Sequence, residues 1–314
     1  LALGQFKNKI INGNFDIWQR GTSFSAPTAD DYTADRWVIE FDGTGGTEAI
    51  TRQSFTLGQT DVPNEPQYYL NITQSVAKSS GSYHLLSQRI EGVRIFAGET
   101  VTLKLYMRAN DAAETLPYIR VQQNFGTGGS PSASVNTNFD TSIALAQDVW
   151  EELSFTIDIP SISGKTLGTA GDYLALQICF PDDEAFDIDI AQVQLEKGST
   201  ATDFETRHIG QELAMCQRYY IRATDILRNR AHKTGLYNVH ISVFFPTYMR
   251  TKPTFTVYPT TIGIDGGYMK NATADTNVTT DIKSVCALSA VVRNWDSVTD
   301  DDELHFKYTA DAEL

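Results

Sequence analysis

Tyr106 shares a strand face with Lys104 and Arg108, and Tyr173 shares one with Gln177. An aromatic ring flanked by amides and charges suits sugar recognition: the ring stacks on a pyranose face while the polar groups bond its hydroxyls. Aromatics tucked beneath a neighbouring loop or subunit would show the same spacing. Asp187 and Asp189 alternate with Phe186, Ile188 and Ile190, so both carboxylates leave one face of a strand. The acidic runs at 182–184 and 300–303 lack the spaced oxygens of an EF-hand loop and read as solvated loops. The five histidines, His84, His208, His232, His240 and His305, show no HxxH or HExxH spacing, and no G-x-S-x-G elbow or phosphate-binding glycine pattern occurs. Nothing therefore points to an enzyme. A glycosidase carboxylate pair stays open only because its members need not be near in sequence.

Positioning such residues falls to a β-rich chain long enough for two domains, 314 residues with 41% hydrophobic and 20% charged. The net charge is −14, from 25 basic and 39 acidic residues. Without a basic run it excludes a nucleic-acid surface and adsorption to anionic lipid. No apolar run of 18 residues is present, so no membrane insertion is expected. Cys179, Cys216 and Cys286 are odd in number and widely spaced, and read as buried apolar residues.

Alternation at Trp37, Ile39 and Phe41, at Val101, Leu103, Leu105 and Met107, at Leu153, Phe155 and Ile157, and at Leu174, Leu176 and Ile178 predicts strands. Gly, Ser and Pro at 126–134 predict a mobile loop. From Phe186 to Ile190 the apolar residues are even-numbered, whereas Val193 and Leu195 are odd-numbered, so a bulge at Ala191 and Gln192 is expected. After Thr206 the period changes: Ile209, Leu213, Cys216 and Tyr220 form one helical stripe, with Glu212, Gln217 and Arg218 towards solvent. The expected fold class is all-β: a jelly-roll β-sandwich over 1–205, a short linking helix over 206–222, and a second, smaller β domain over 223–314. That second domain looks short of strands, with Tyr237, Phe244 and Tyr248 expected at its surface.

The segments LEKGSTATDFE and ELAMCQRYY, preceded far upstream by NGNFDIWQRG and YTADRW, resemble segments of tail-fibre and related virion proteins of tailed bacteriophages. Asp203 departs from the pattern, standing where a proline would precede the Phe-Glu pair. NGNFD and FDIDIAQVQLEKG also resemble the first and last strands of jelly-roll carbohydrate-binding modules. The first resemblance implies a virion structural protein on the tail or capsid surface, with other virion proteins and host surface polysaccharide as partners. A decoration or head-fibre protein without ligand and a tail-associated glycan hydrolase are the alternatives. The second implies a structural calcium ion held by Asp16, Asp187 and Asp189. Because phage fibres are commonly trimeric and a helix this short must dock, a homotrimer through Ile209, Leu213, Cys216 and Tyr220 is expected.

Overall fold

The computed structural model describes residues 6–79, 81, 83–223, 226–230, 240–258, 268–271, 276–294 and 303–314. Tyr237, His232 and the acids 300–302 lie outside them. In chain order the elements are β1 (Ser23–Ser25), β2 (Val38–Phe41), β3 (Thr44–Ser54), β4 (Tyr68–Ser79), β5 (His84–Glu91), β6 (Thr100–Ala109), β7 (Glu114–Asn124), β8 (Val135–Leu145), β9 (Glu151–Asp158), β10 (Tyr173–Cys179) and β11 (Phe186–Lys197). Then follow α1 (Ile209–Gln217), β12 (Tyr220–Arg222), β13 (Leu227–Arg230), β14 (His240–Phe244), β15 (Thr254–Tyr258), β16 (Tyr268–Asn271), β17 (Thr276–Val285), β18 (Ser289–Asn294) and β19 (Glu303–Asp311). The chain is nearly all β, with one short helix among the described residues.

It divides into two compact units; the first ends at Glu212 and takes in Leu314, and the second is Leu213–Glu313. The first unit is a jelly-roll sandwich. A six-stranded antiparallel sheet runs β1-β3-β4-β11-β6-β9, and a five-stranded one runs β2-β5-β10-β7-β8. Their inner faces contribute Ile50, Ile72, Leu103, Leu105, Ile188 and Ile190 from the first sheet, and Ile39, Leu86, Ile119, Val121, Leu176 and Ile178 from the second, all fully buried. These are the apolar halves of the period-2 patterns, and their burial is what holds the two sheets together.

Residues 6–20 have no strand of their own. They run beside the end of β11, where the register shifts between Ala191 and Gln194. The expected bulge is present, and Gln192 takes φ +47° in it. Lys9 N donates to Leu195 O (2.9 Å), Val193 N to Gly13 O (2.8 Å) and Leu195 N to Asn8 Oδ1 (3.0 Å). Arg207, almost fully buried, bonds Ile10 O (3.0 Å) and the Asn8 carbonyl and pairs with Glu212 at 3.2 Å. Glu212 also accepts from the Asn12 amide.

The helix differs from its expected form. It ends at Gln217, and Tyr220 opens β12, so Tyr220 is a strand residue. Burial falls on Glu212, Cys216 and Tyr219, while Ile209 is exposed and Leu213 half-buried. The stripe is rotated by one position because Arg207 and the Asn12 amide give the Glu212 carboxylate partners that water would otherwise supply. The 126–134 loop is also tied down: Thr127 N reaches Ala170 O (2.8 Å), Ser132 N reaches Thr166 O (3.0 Å), and Thr169 N reaches Thr127 O (2.8 Å).

The second unit carries more sheet than expected. Its eight strands follow the path β12-β19-β16-β17-β18-β14, with β13 and β15 also paired to β19. A separate core of Ile221, Val243, Phe245, Met249, Phe255, Val257, Val292, Phe306 and Tyr308 lies within this unit.

Candidate functional site

The outer face of the five-stranded sheet gathers polar and aromatic side chains from four strands. Strand β7 supplies Tyr118, Arg120, Gln122 and Asn124, all half-buried, alternating with buried Ile119, Val121 and Gln123. Register sets them in rows: Ser87, Gln177, Arg120 and Asn138 in one, Arg89, Ala175, Gln122 and Asn136 in the next, and Glu91, Tyr173 and Asn124 in a third. Ala175, between Arg89 and Gln122, leaves room above the sheet.

Most of these side chains are held by a neighbour. Arg120 Nε donates to Gln177 Oε1 (2.7 Å), and its guanidinium lies 4.5 Å over the Tyr118 ring. Gln122 Nε2 donates to Asn136 Oδ1 (3.1 Å), and Asn124 Nδ2 to the Tyr173 hydroxyl (3.2 Å). Arg89 pairs with Glu40 and lies 5.4 Å over Tyr173, while Ser87 Oγ donates to Glu40 at 2.5 Å. Burial, with Cys179 alongside, pushes the Tyr118 phenol up to about 12, and burial raises that of Tyr173. Both phenols stay protonated near neutral pH and can donate hydrogen bonds. A cleft of about 270 Å³ opens here between Ala29, Asp30, Glu40, Phe41, Tyr83, Leu85, Arg120, Gln122 and Gln177.

Of the five residues expected to bind sugar, Tyr173 and Gln177 are on this face; Lys104, Tyr106 and Arg108 are on the other sheet. There the segment joining β3 to β4 covers Tyr106. Tyr106 is buried against Val62 and Ala191, its hydroxyl bonded to Glu152, and Gln192 Nε2 fastens the segment through Pro63 O (2.7 Å). Lys104 Nζ also goes to Glu152 (3.0 Å). Arg108 binds Asp189 Oδ2 through Nε (3.0 Å) and Nη2 (2.5 Å), and lies 5.1 Å over Trp150, which packs with Phe55 and Tyr69. Tyr106 is thus a packing residue and offers no open stacking surface.

Nor are Asp16, Asp187 and Asp189 assembled into a calcium site. Asp187 accepts from Asn71 (2.6 Å) and Asn110 (2.8 Å), and Asp189 from Asn71 (2.8 Å) and Arg108. The cation Asp189 faces is the Arg108 guanidinium, and Asp187 faces two amides. Asp16 lies elsewhere, bonded to Asn14 (3.1 Å) beside Glu205, Arg207 and Glu212, with its carboxyl raised by burial. Among the described residues no group of three His, Cys, Asp or Glu side chains could hold a metal ion. The expected oligomerisation stripe is divided: Cys216 and Tyr220 are buried, and Ile209 is exposed.

Sequence reasoning missed Tyr118, Arg120, Gln122, Asn124, Arg89 and Glu40. The signal for the first three was present, since YIRVQ alternates after Pro117, until Gln123 interrupts the pattern before Asn124.

No family model matches the chain, and no curated protein matches it. Among solved structures, a putative sugar binding protein from Bacteroides thetaiotaomicron aligns at 17% identity with TM-score 0.39, over 61% of this chain and all of the other. The CBM22-1 xylan-binding domain from Paenibacillus barcinonensis aligns at 9% identity and TM-score 0.36, over 63% of this chain and all of the other. The enzymatically active domain of tailspike protein 4 from bacteriophage CBA120 aligns at 11% identity and TM-score 0.37, over 61% of this chain and 22% of the other.

Proposed function

We propose that this chain is a non-enzymatic glycan-binding protein of a tailed-phage virion, presenting the outer face of its five-stranded sheet to polysaccharide on the host surface. The observation carrying this reading is the half-buried line of Tyr118, Arg120 and Gln122 along β7, of which Arg120 and Gln122 line a cleft together with Gln177; Tyr173 stands on the neighbouring β10. Two half-buried rings, each with an arginine over one face, offer a sugar their remaining surface, and neighbouring amides supply donors and acceptors for hydroxyls. Glu40 is tied to Arg89 and Ser87, which suits an acceptor better than a general acid. The virion reading is supported by the sequence segments NGNFDIWQRG and LEKGSTATDFE; Gly13, Asn14 and Asp16 of the first line one small pocket with Phe204 and Glu205 of the second.

Retention on immobilised host polysaccharide without release of reducing sugar is the expected result, with Tyr118→Ala weakening it about tenfold, or ~1.4 kcal/mol. Reducing-sugar release would instead favour the tail-associated hydrolase, and absence of retention a decoration protein without ligand. Assembly as a homotrimer belongs to the same reading. Phe244, 74% exposed, and Tyr248, 64% exposed, are its support on the second unit. Light scattering at micromolar concentration should give the mass of three chains; the mass of one would end that part of the proposal.

A further inference from the structure

The two arginines of the binding face are used differently. Arg89 is neutralised by Glu40, with Asp30 3.5 Å away as a second acid. Arg120 meets only neutral groups: the Gln177 amide oxygen at Nε and the Tyr118 ring beneath its plane. No carboxylate among the described residues pairs with it, although it lines the cleft. Gln177 and Tyr118 fix the fork from one edge and one face, leaving the Nη1 and Nη2 edge uncommitted. A guanidinium held this way is pre-organised for a planar two-oxygen acceptor, which it binds through parallel hydrogen bonds. The acids of the cleft are no obstacle. Glu40 is already paired, and its strand is three strand spacings from β7, about 14 Å at the backbone. Asp30 is largely in solvent, with its side chain 75% exposed. The protein as a whole carries a charge of −14, so an acidic ligand gains nothing from the overall field and needs a local determinant.

We infer that the glycan bound by this face is carboxylated, a polymer of uronic or sialic acid units, and that Arg120 seats one carboxylate while Tyr118 and Tyr173, about 20 Å apart along the strands, contact units on either side of it. The inference rests on the glycan-binding reading of this face and specifies its substrate class.

The test uses the full chain against polygalacturonate, alginate, hyaluronan and polysialic acid, with the first three also presented after their carboxyl groups are reduced to alcohols. Neutral xylan and β-glucan are run alongside. At least one acidic polymer should be retained, and for a uronate polymer the carboxyl-reduced form should bind at least tenfold more weakly. Retention of polysialic acid alone would place the carboxylate on a sialic acid. Arg120→Gln should cost at least tenfold on the acidic polymer and leave any binding to neutral polymers unchanged. Arg120→Lys should fall between, keeping the charge and losing the fork. Arg120→Gln should melt within a few degrees of the parent, because among the described residues the one hydrogen bond it removes is that to Gln177. Equal affinity for a uronate polymer and its reduced form, undiminished binding by Arg120→Gln, or retention on neutral polymers alone would overturn the inference and leave glycan binding standing. Failure to retain any polymer, acidic or neutral, would remove both.

Discussion

Gly13 offers the sharpest test of how the first unit closes. A Cβ placed on it would lie 2.1 Å from Val193 O, 3.2 Å from the Val193 carbonyl carbon and 3.4 Å from Ile10 Cγ2. The nearest atom is backbone and cannot rotate away. Reaching ordinary contact requires the two segments to separate by roughly 1 Å. That displacement breaks the bond from Val193 N to Gly13 O and loosens its neighbour from Leu195 N to Asn8 Oδ1. Overpacking costs about 1–3 kcal/mol, and each lost hydrogen bond about 1 kcal/mol. Gly13→Ala should therefore cost about 3 kcal/mol, which lowers the melting temperature of a unit this size by about 6–12 °C. Tryptophan fluorescence reports on this unit, which holds Trp18, Trp37 and Trp150 of the four tryptophans. Gly58→Ala is the control: its Cβ meets nothing within 4 Å, but its φ of +83° should cost about 1 kcal/mol. If Gly13→Ala melts with the parent, or above Gly58→Ala, the steric account of this junction is wrong.

Arg207→Ala should lower stability by about 3–5 kcal/mol in urea titration, because it leaves the Glu212 carboxylate buried without its cation; a loss below about 1 kcal/mol would refute that. Glu48 is buried, which by itself raises its pKa, yet contacts to His84 and Lys78 hold it below its ordinary 4.5. A depressed carboxylate adds stability that is present above its unfolded value and lost as pH falls through its folded one. Glu48→Gln should accordingly be less stable at pH 7 and show a shallower fall in urea midpoint between pH 5 and pH 3; parallel profiles would refute the assignment. Calcium and chelator should leave the melting curve unchanged, since amides and Arg108 already satisfy Asp187 and Asp189. A rise in melting temperature with calcium would reopen the metal site.

Strands whose inner residues are uniformly apolar were legible, as were the two-sheet class and the bulge, because a parity slip has only one way to keep Val193 and Leu195 inside. Strands β7 and β8 were not. Gln123 is buried, with its amide bonded to Pro160 O (2.9 Å), and it masks the alternation in the first; most of the second is exposed, with few apolar residues to count. Alternation assigned Tyr106 to an outward face correctly but could not say whether that face was covered. Its cover, Val62, comes from a Gly- and Pro-containing connection with no periodic pattern. The Glu212 reversal has a similar origin: a hydrophobic stripe is a local property, whereas the amide that recruits Glu212 is 200 residues away in sequence.

The segments that resemble virion proteins are set by a different constraint from the face proposed to bind. In NGNFDIWQRG, Asn12 takes φ +58°, its side chain bonds both Ile17 N (2.9 Å) and Ile17 O (2.8 Å), and Gly13 has no room for a side chain. Asp35, from YTADRW, accepts from Gln19 N at 2.8 Å. Each residue answers to a close backbone geometry, so the stretch reads as a motif although its work is to close the sandwich. Tyr118, Arg120 and Gln122 project from a strand that asks only for alternation, and different side chains there would keep the sheet. The resemblance therefore concerns the scaffold and is silent on the ligand, and the two separate in the laboratory. Replacing Tyr118, Arg120 and Gln122 together with serine should abolish retention and leave melting within a few degrees of the parent, whereas Gly13→Ala, assayed well below its own melting temperature, should bind as the parent does. If the triple variant unfolds, the face is structural and the binding assignment fails with it.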